Sequence, residues 1–217
     1  MRSIVFDLDG TIVFSHPVHF AAYEKLFKEF GINWTYDEFN DVFAGTGAPG
    51  IITAILTHNG VKNFDATELA KKKRAYFADF LTKMKLEVVP GFFDFIKEIN
   101  RRGLKKIIAS GSHKEDIVRM LDNIGALDEF PEIVTGYDVP MSKPAPDIFL
   151  EAARRLGVPV GECLVLEDTI HGVHAAKSAG MKCIAFLTTT PAEILKNAGA
   201  DFILENYTKI TPEFLDA

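Results

Sequence analysis

The sequence predicts an α/β fold: a mostly parallel sheet, interrupted after its first strand by an inserted all-helical segment. Two observations predict it. Short runs that are apolar at nearly every position, typical of strands covered on both faces, alternate with amphipathic helical patterns. Between about residues 15 and 85, in contrast, helical patterns follow one another with no convincing strand. The first feature indicates a parallel sheet with crossover helices, and the second indicates a separate helical domain.

Six apolar runs are predicted to be buried strands. They are residues 3–6, 106–109, 132–134, 163–166, 183–186 and 201–204. Most of them are separated by patterns of helical period. These helices are predicted at residues 92–101, 114–124, 146–156, 169–179 and 191–198, and glycines follow the last four, as expected where a helix ends. Repetition of strand, helix and strand predicts that the sheet is parallel.

The inserted segment contains four helical patterns, at residues 16–30, 36–43, 49–59 and 67–84. Aromatic residues recur in it at helical spacing, which indicates the core of a small domain. A basic run, Lys71 to Arg74, is predicted to be a solvated helix face. We therefore divide the chain into a core of residues 1–14 and 88–217 and a helical domain of residues 15–87.

The composition is that of an ordinary globular protein and argues against two kinds of partner. The 217 residues are 47% hydrophobic and 25% charged. A net charge of -6 argues against nucleic-acid binding, which normally needs a basic face. There is no apolar stretch long enough for a membrane span and no signal-peptide pattern at the start. We expect a cytoplasmic protein, and nothing in the sequence demands more than a monomer.

Polar residues follow three of the predicted strands. The segment DLDGT begins at Asp7, SGS begins at Ser110, and EDT begins at Glu167. Because ligands of open parallel sheets bind outside the carboxyl ends of the strands, these three segments are expected to form one site. A fourth segment, SKPAPD, precedes a helix and contains Lys143.

The residue types in these segments suit phosphoryl transfer. Asp7, Asp9, Glu167 and Asp168 would crowd four carboxylates together, which is unfavourable unless a cation neutralises them. Oxygen ligands in an incomplete cage select Mg²⁺. Lys143 and the hydroxyl of Ser110 would hold phosphate oxygens, and a carboxylate can serve as nucleophile. Each segment alone also has a purely structural explanation, as a turn, a helix cap or a loop cation, so the functional interpretation depends on their coincidence.

The four segments, in this order, resemble the motifs of the haloacid dehalogenase (HAD) superfamily, in its β-phosphoglucomutase-like and phosphoglycolate-phosphatase-like branch. DLDGT is similar to the first motif, Ser110 in IIASGS to the second, Lys143 in SKPAPD to the third and Glu167-Asp168 in LVLEDT to the fourth. The resemblance covers nearly the whole chain. It implies a Rossmann-like catalytic core, and it implies that the inserted helical domain is a cap.

The resemblance also implies a role for each residue. Asp7 would attack phosphorus, and Asp9 would protonate the leaving group and later activate water. Asp7, the backbone carbonyl of Asp9, Asp168 and Glu167 would form the Mg²⁺ site. The phosphoryl group would be bound by Ser110, Gly111 and Lys143, and His19 matches a cap-side histidine of the branch that would contact substrate. Apart from the resemblance, we expect substrate to contact Thr46 and Gly47 as well, because backbone N–H groups where the next helix begins can bind an anion.

The sequence departs from this branch at the cap loop. Mutases of the branch carry a basic residue there to hold a second phosphate, whereas residues 43–50, FAGTGAPG, contain neither Lys nor Arg. An uncharged loop holds the second phosphate of a bisphosphate poorly, so hydrolysis is favoured. Phe14 also stands where the family has a second acid after the first motif.

The sequence therefore predicts a Mg²⁺-dependent phosphatase that hydrolyses a small phosphorylated metabolite through an aspartyl-phosphate. Two alternatives stay open. One is a β-phosphoglucomutase-like sugar-phosphate mutase. The other is a non-catalytic sensor of a phosphorylated metabolite, which the presence of Asp9 disfavours because binding alone needs no proton-transfer acid.

Overall fold

The computed structural model describes residues 1–36, 38–39 and 47–216 of the chain. The larger of its two units, Met1–Phe14 with Leu86–Ala217, contains a parallel sheet with helices between successive strands. The smaller unit, Ser15–Lys85, is helical over its described residues. The predicted fold class, a parallel α/β core with an inserted helical segment, is confirmed.

The central sheet contains all six predicted strands, with ends that differ by no more than about one residue. The strands of the chain are β1 (Ser3–Phe6), β2 (Val13–Phe14), β3 (Glu87–Val88), β4 (Lys105–Ser110), β5 (Ile133–Thr135), β6 (Cys163–Glu167), β7 (Lys182–Phe186) and β8 (Phe202–Leu204). Their order in the main sheet is β5-β4-β1-β6-β7-β8. β1 is central, and Ser3 is paired with both Lys105 and Cys163. The carboxyl ends of β4, β1 and β6 therefore lie side by side.

Helices connect the strands. They are α1 (His16–Lys28), α2 (Gly47–His58), α3 (Ala66–Leu81), α4 (Phe92–Arg102), α5 (Lys114–Asn123), α6 (Asp147–Leu156), α7 (Ile170–Ser178), α8 (Ala192–Asn197) and α9 (Pro212–Asp216). Most of the helix predicted at residues 36–43 lies outside the described residues. Among the helices of the described ranges, none combines the length and apolar character needed to cross a membrane.

A small second sheet, which the sequence did not predict, joins the two ends of the inserted segment. β2 and β3 pair antiparallel, with Val13 opposite Val88. The backbone N–H of Val89 extends this pairing by donating to the carbonyl of Ile12 at 2.9 Å. The chain thus leaves and re-enters the larger unit through two adjacent, hydrogen-bonded segments.

The core of the larger unit covers both faces of the sheet. All four residues of β1 are buried. The Phe6 ring lies 5.3–6.5 Å, between centroids, from four aromatic rings. These rings belong to Phe92, Phe95, Phe130 and Tyr207. Val5, which points to the opposite face, packs in a second cluster with Ile107 and Val165. Burial on both faces explains why the strands are apolar at successive positions.

The smaller unit has its own aromatic core, as its sequence predicts. Tyr23, Phe27, Trp34 and Phe39 are buried together. The Trp34 ring lies 5.1 Å from the Phe27 ring and 5.6 Å from the Phe39 ring, and both pairs meet edge to face. Edge-to-face packing is a favourable arrangement for aromatic rings.

The basic run in α3 is not a uniformly solvated face, so that prediction was wrong for one residue. Lys71 and Lys72 are exposed and pair with acids. Lys73 is only 6% exposed, and its ammonium lies 4.4 Å from the centroid of the Tyr23 ring. Because Lys73 stands on the helix side that packs against α1, its long apolar stem is buried there while the charge lies over an aromatic face.

We expect Phe6→Ala to destabilise the larger unit by about 3–5 kcal/mol, because the change opens a cavity within packed aromatic rings. The measurement is urea denaturation. Phe93→Ala is the matched control, since Phe93 is 41% exposed, and it should cost less than about 1 kcal/mol. Equal effects of the two substitutions would contradict the central position assigned to Phe6.

Candidate active site

Lys143 joins the ends of three strands of the main sheet. Its ammonium donates hydrogen bonds to Oδ1 of Asp7 at 2.5 Å, to Oε1 of Glu167 at 2.6 Å and to the carbonyl of Ala109 at 3.0 Å. Asp7 follows β1, Ala109 belongs to β4 and Glu167 ends β6. The Lys143 side chain is 12% exposed. One largely buried cation therefore holds two buried carboxylates at the carboxyl edge of the sheet.

Glu167 is fixed by hydrogen bonds to both of its carboxylate oxygens. Oε1 accepts from Lys143, while Oε2 accepts from the backbone N–H of Asp168 at 2.9 Å and of Thr169 at 3.1 Å. There is no space beside it, because a Cβ atom at Gly172 would lie 1.8 Å from Cδ of Glu167. The start of α7 can approach this carboxylate only with glycine at that position. In this arrangement Glu167 orients Lys143 and the start of α7.

Asp168 is fully buried, and its two oxygens differ. Oδ1 accepts a hydrogen bond of 3.3 Å from the hydroxyl of Thr11. Oδ2 makes no hydrogen bond of normal geometry within the described part of the chain. It lies against Gly10, where a Cβ would come within 2.0 Å of it and where φ is +77°, a conformation that favours glycine. Asp168 thus presents one buried oxygen that no donor of the described residues reaches with normal hydrogen-bond geometry.

Two serines at the carboxyl end of β4, Ser110 in the strand and Ser112 after it, lie next to the DLDGT segment. Ser112 donates from Oγ to Oδ2 of Asp9 at 2.8 Å, and its backbone N–H donates to Oγ of Ser110 at 3.1 Å. Ser110 is buried, whereas Gly111 is exposed. Sequence reasoning named Ser110 and Gly111 as site residues but did not name Ser112. The signal was present, since Ser112 lies in the same polar segment that follows the strand.

Burial and crowding raise the pKa values of the central acids. For Asp7, burial is the largest cause, and the nearby Glu167 and Asp9 add to it, whereas Lys143 opposes it; together they raise the pKa to about 7. Burial also raises the pKa of Asp168, with Glu167 and Asp7 contributing, while the hydroxyl of Thr189 and Lys143 lower it. Burial would lower the pKa of Lys143, but Asp7 and Glu167 outweigh it and hold that pKa above its usual value. When ionised, Asp7, Glu167 and Asp168 would together carry more negative charge than the one lysine neutralises, which is why the pKa values of Asp7 and Asp168 are raised.

A divalent cation fits this excess of acids. Asp168 has a buried oxygen that no donor of the described residues reaches with normal geometry, and Asp7 shares its one lysine with Glu167. Over the described residues, no three side chains of His, Cys, Asp or Glu are placed to hold a metal ion together. An incomplete protein shell of oxygen ligands, completed by water and substrate, suits Mg²⁺. The groups that would hold the ion are Asp7, Asp168 and the backbone carbonyl of Asp9, with Glu167 beside them.

Two of the three residues assigned to the cap lie in helices of the smaller unit. His19 is in α1, where its ring stacks on Phe77 at 4.2 Å and its Nδ1 lies 2.7 Å from Nζ of Lys73. Gly47 is exposed at the first position of α2, with a φ of +65°. Thr46 lies outside the described residues.

We expect Lys143→Met to destabilise the protein by about 3–5 kcal/mol, because Asp7 and Glu167 would lose the buried cation between them. Urea denaturation measures this change. The control is Lys97→Met, which removes a lysine from an ion pair whose side chains are 77% and 85% exposed; it should change stability by less than about 1 kcal/mol. A Lys143→Met protein as stable as the wild type would show that the buried pairs contribute nothing.

The raised pKa of Asp7 predicts how stability without divalent cations depends on pH. The unfolded chain loses this proton near the ordinary value of 3.8, whereas the folded protein keeps it up to about 7. Between those values the folded state binds more protons, so this contribution to stability is present at low pH and is lost as pH rises through 7. The Asp7→Asn variant has no carboxyl group at this position and therefore lacks this pH-dependent contribution to stability. In EDTA, its stability relative to the wild type should therefore increase from pH 4 to pH 7, and a difference that stays constant would contradict the assignment.

Comparison with known proteins supports the resemblance seen in the motifs. The family model for haloacid dehalogenase-like hydrolases matches residues 1–180. Protein SUPPRESSOR OF QUENCHING 1, chloroplastic, from Arabidopsis thaliana is 35% identical over 97% of this chain, which spans 20% of that protein's length. The phosphorylated carbohydrates phosphatase of Thermotoga maritima is 27% identical, over 85% of this chain and 84% of that protein. The β-phosphoglucomutase of Bacillus subtilis is 28% identical, over 99% of this chain and 94% of that protein.

The fold is also shared with a solved structure. CbbY from Rhodobacter sphaeroides, crystallised with phosphate, matches with a TM-score of 0.89 and 28% identity, and all of each chain is covered. The family model spans most of the chain, and the six-stranded parallel sheet with its inserted helices agrees with it. The chain therefore belongs to the haloacid dehalogenase-like hydrolases, with a phosphatase- or phosphomutase-like function.

Proposed function

We propose that this protein is a Mg²⁺-dependent phosphatase that hydrolyses a small phosphorylated sugar or similar metabolite, with Asp7 as the transiently phosphorylated residue. The observation that carries the proposal is the contact between Lys143 and Asp7, with Asp168 also buried nearby at the same sheet edge. A buried carboxylate beside a cation and a candidate metal ligand is the arrangement that phosphoryl transfer needs.

In the first step, an ionised oxygen of Asp7 attacks phosphorus, and the bond from phosphorus to the leaving oxygen breaks. Asp9 gives its proton to that oxygen, so the product leaves as an alcohol. The hydrogen bond from Ser112 to Oδ2 of Asp9 fixes the orientation of this acid. Lys143 offsets charge on the transferring group, as lysines do in related phosphate sites.

In the second step, Asp9 accepts a proton from water while the water oxygen attacks phosphorus. The bond between phosphorus and Asp7 breaks, inorganic phosphate leaves, and both carboxyl groups return to their starting states. When bound, Mg²⁺ neutralises the crowded acids and the charge on the phosphoryl oxygens. Ser110, Gly111 and Lys143 are the groups that we assign to the phosphoryl oxygens.

The preference for a phosphorylated sugar is supported by the names of two relatives, a phosphatase of phosphorylated carbohydrates and a β-phosphoglucomutase. The larger unit would carry the catalytic groups, and the helical unit would act as a cap that excludes water and selects the substrate. His19, Thr46 and Gly47 are the cap residues that we propose to contact it. The monomeric state and the cytoplasmic location stay predictions.

Hydrolysis is favoured over the mutase reaction by the absence of Lys and Arg from residues 43–50. The two reactions differ in their products. Incubation with a sugar 1-phosphate should release inorganic phosphate and free sugar, whereas a mutase would return an isomeric sugar phosphate. Predominant isomerisation would replace this proposal with the mutase.

Asp7→Asn should reduce turnover by roughly 10³-fold or more, because the amide cannot form the phosphorylated intermediate. Phosphate release from a panel of sugar phosphates, phosphoglycolate and nucleotides measures it as kcat/KM. Asp94→Asn changes an exposed acid on α4 and should leave turnover unchanged. Undiminished turnover by a folded Asp7→Asn protein would eliminate Asp7 as the nucleophile.

Removal of divalent cations should abolish phosphate release by the wild type, and Mg²⁺ should restore it, since the acids at the site need a neutralising ion. The measurement is the same phosphate assay after treatment with EDTA, followed by titration with MgCl₂. Full activity in EDTA would exclude the proposed metal dependence.

A further inference from the structure

Thr189, in the turn after β7, carries a buried polar atom that the mechanism above does not use. Within the described part of the chain, two buried side-chain polar atoms make no hydrogen bond of normal geometry: Oγ1 of Thr189 and Oδ2 of Asp168. Buried polar atoms are nearly always partnered, and an exception often marks the place of an ion or a water molecule. That both exceptions occur in neighbouring turns calls for a common explanation.

The two atoms face the same point of the fold. A Cβ atom built on Gly10 would lie 2.0 Å from Oδ2 of Asp168 and 2.7 Å from Oγ1 of Thr189. The turns that carry them follow β6 and β7, which are neighbours in the sheet, and Gly10 follows β1 on the other side of β6. Both oxygens therefore lie against the bare α-carbon of one glycine in the DLDGT segment.

The position of Thr189 is fixed by the residue before it. Thr188 donates a hydrogen bond of 2.6 Å from its hydroxyl to the backbone carbonyl of Gly10. This bond ties the turn after β7 to the segment that contains Asp7 and Asp9. The hydroxyl of Thr189 therefore lies beside Gly10, on the same side as the carboxylate of Asp168.

We propose that Thr189 is a positioning residue for the metal ion of this enzyme: in the metal-bound protein its hydroxyl donates to the carboxylate of Asp168 and so sets the affinity for Mg²⁺. The inference rests on the proposed function, in which Asp168 is a ligand of that ion. Thr11 already donates to Oδ1 of Asp168, at a long 3.3 Å. Thr189 supplies the second donor, and the two hydroxyls together orient the carboxylate.

The chemistry of metal sites gives the expected size of the effect. Carboxylates that bind metal ions are normally held by hydrogen bonds from groups behind them, and loss of such a group typically lowers metal affinity by about 10–100-fold. Thr189→Val keeps the shape of the side chain and removes the hydroxyl. Thr189→Ser keeps the hydroxyl and removes the methyl group.

The test is Mg²⁺ binding to the purified protein without substrate, measured by isothermal titration calorimetry. We expect Thr189→Val to weaken binding by about 10-fold or more, and Thr189→Ser to bind within about 3-fold of the wild type. Thr190→Val, the same change at the next residue, is the control and should bind like the wild type. In the phosphate assay, Thr189→Val should need more Mg²⁺ for half-maximal activity while kcat at saturating Mg²⁺ changes little.

Three results would overturn the inference. If Thr189→Val binds Mg²⁺ as tightly as the wild type, Thr189 has no part in the metal site. If Thr189→Val and Thr189→Ser lose the same affinity, the hydroxyl is not the group that matters. If the wild type itself binds no Mg²⁺, the proposed metal dependence fails together with this inference, whereas the first two results leave that dependence intact. Should Thr189→Val not fold, Thr189→Ala provides the same comparison with Thr189→Ser.

Discussion

The candidate active site depends on one buried ammonium group shared by two carboxylates. Lys143 donates hydrogen bonds to Asp7 and Glu167, and it donates a third to the carbonyl of Ala109 in β4. Since an unpaired charge in such a place is strongly unfavourable, these contacts constrain the lysine loop and three strand ends at once. Among the described residues no cation makes such a contact with the buried Asp168, and this electrostatic imbalance is the physical reason for assigning a metal ion to the site.

The sequence was sufficient to predict the sheet, its parallel direction and the convergence of the four polar segments. Strands buried on both faces leave a clear apolar pattern, and the carboxyl-edge rule then places Asp7, Ser110 and Glu167 together. The separate roles of the neighbouring acids could not be predicted from their spacing in the sequence. In this structure both oxygens of Glu167 accept hydrogen bonds, from Lys143 and from the start of α7, and its expected place beside the metal ion stays a prediction. Such assignments depend on side-chain direction, which spacing does not specify.

Other features were not predicted, either because the element is too short to show a pattern or because the residue type suggests the wrong environment. β2 and β3 are two residues each, too short to show a period. Lys73 stands in a run of basic residues that looks solvated, and only the packing of α3 against α1 decides that it is buried. Thr189 follows β7 in a threonine-rich turn with no charged residue, so the rule about strand ends could have included it but gave no reason to prefer it.

The pairing of β2 with β3 has a consequence for how this protein can change. The chain leaves the larger unit at β2 and returns at β3, and these two strands are hydrogen-bonded to each other. The main sheet is therefore compatible with any inserted unit whose two ends lie close together, as those of the 71-residue unit Ser15–Lys85 do. A longer insertion adds little to the entropic cost of bringing its two ends together, because that cost grows only with the logarithm of loop length. Helical modules of different size and surface can therefore be exchanged at this junction without rebuilding the sheet. Under the proposed function, in which the helical unit selects the substrate, such exchange would let substrate choice diverge while the residues at the sheet edge are retained.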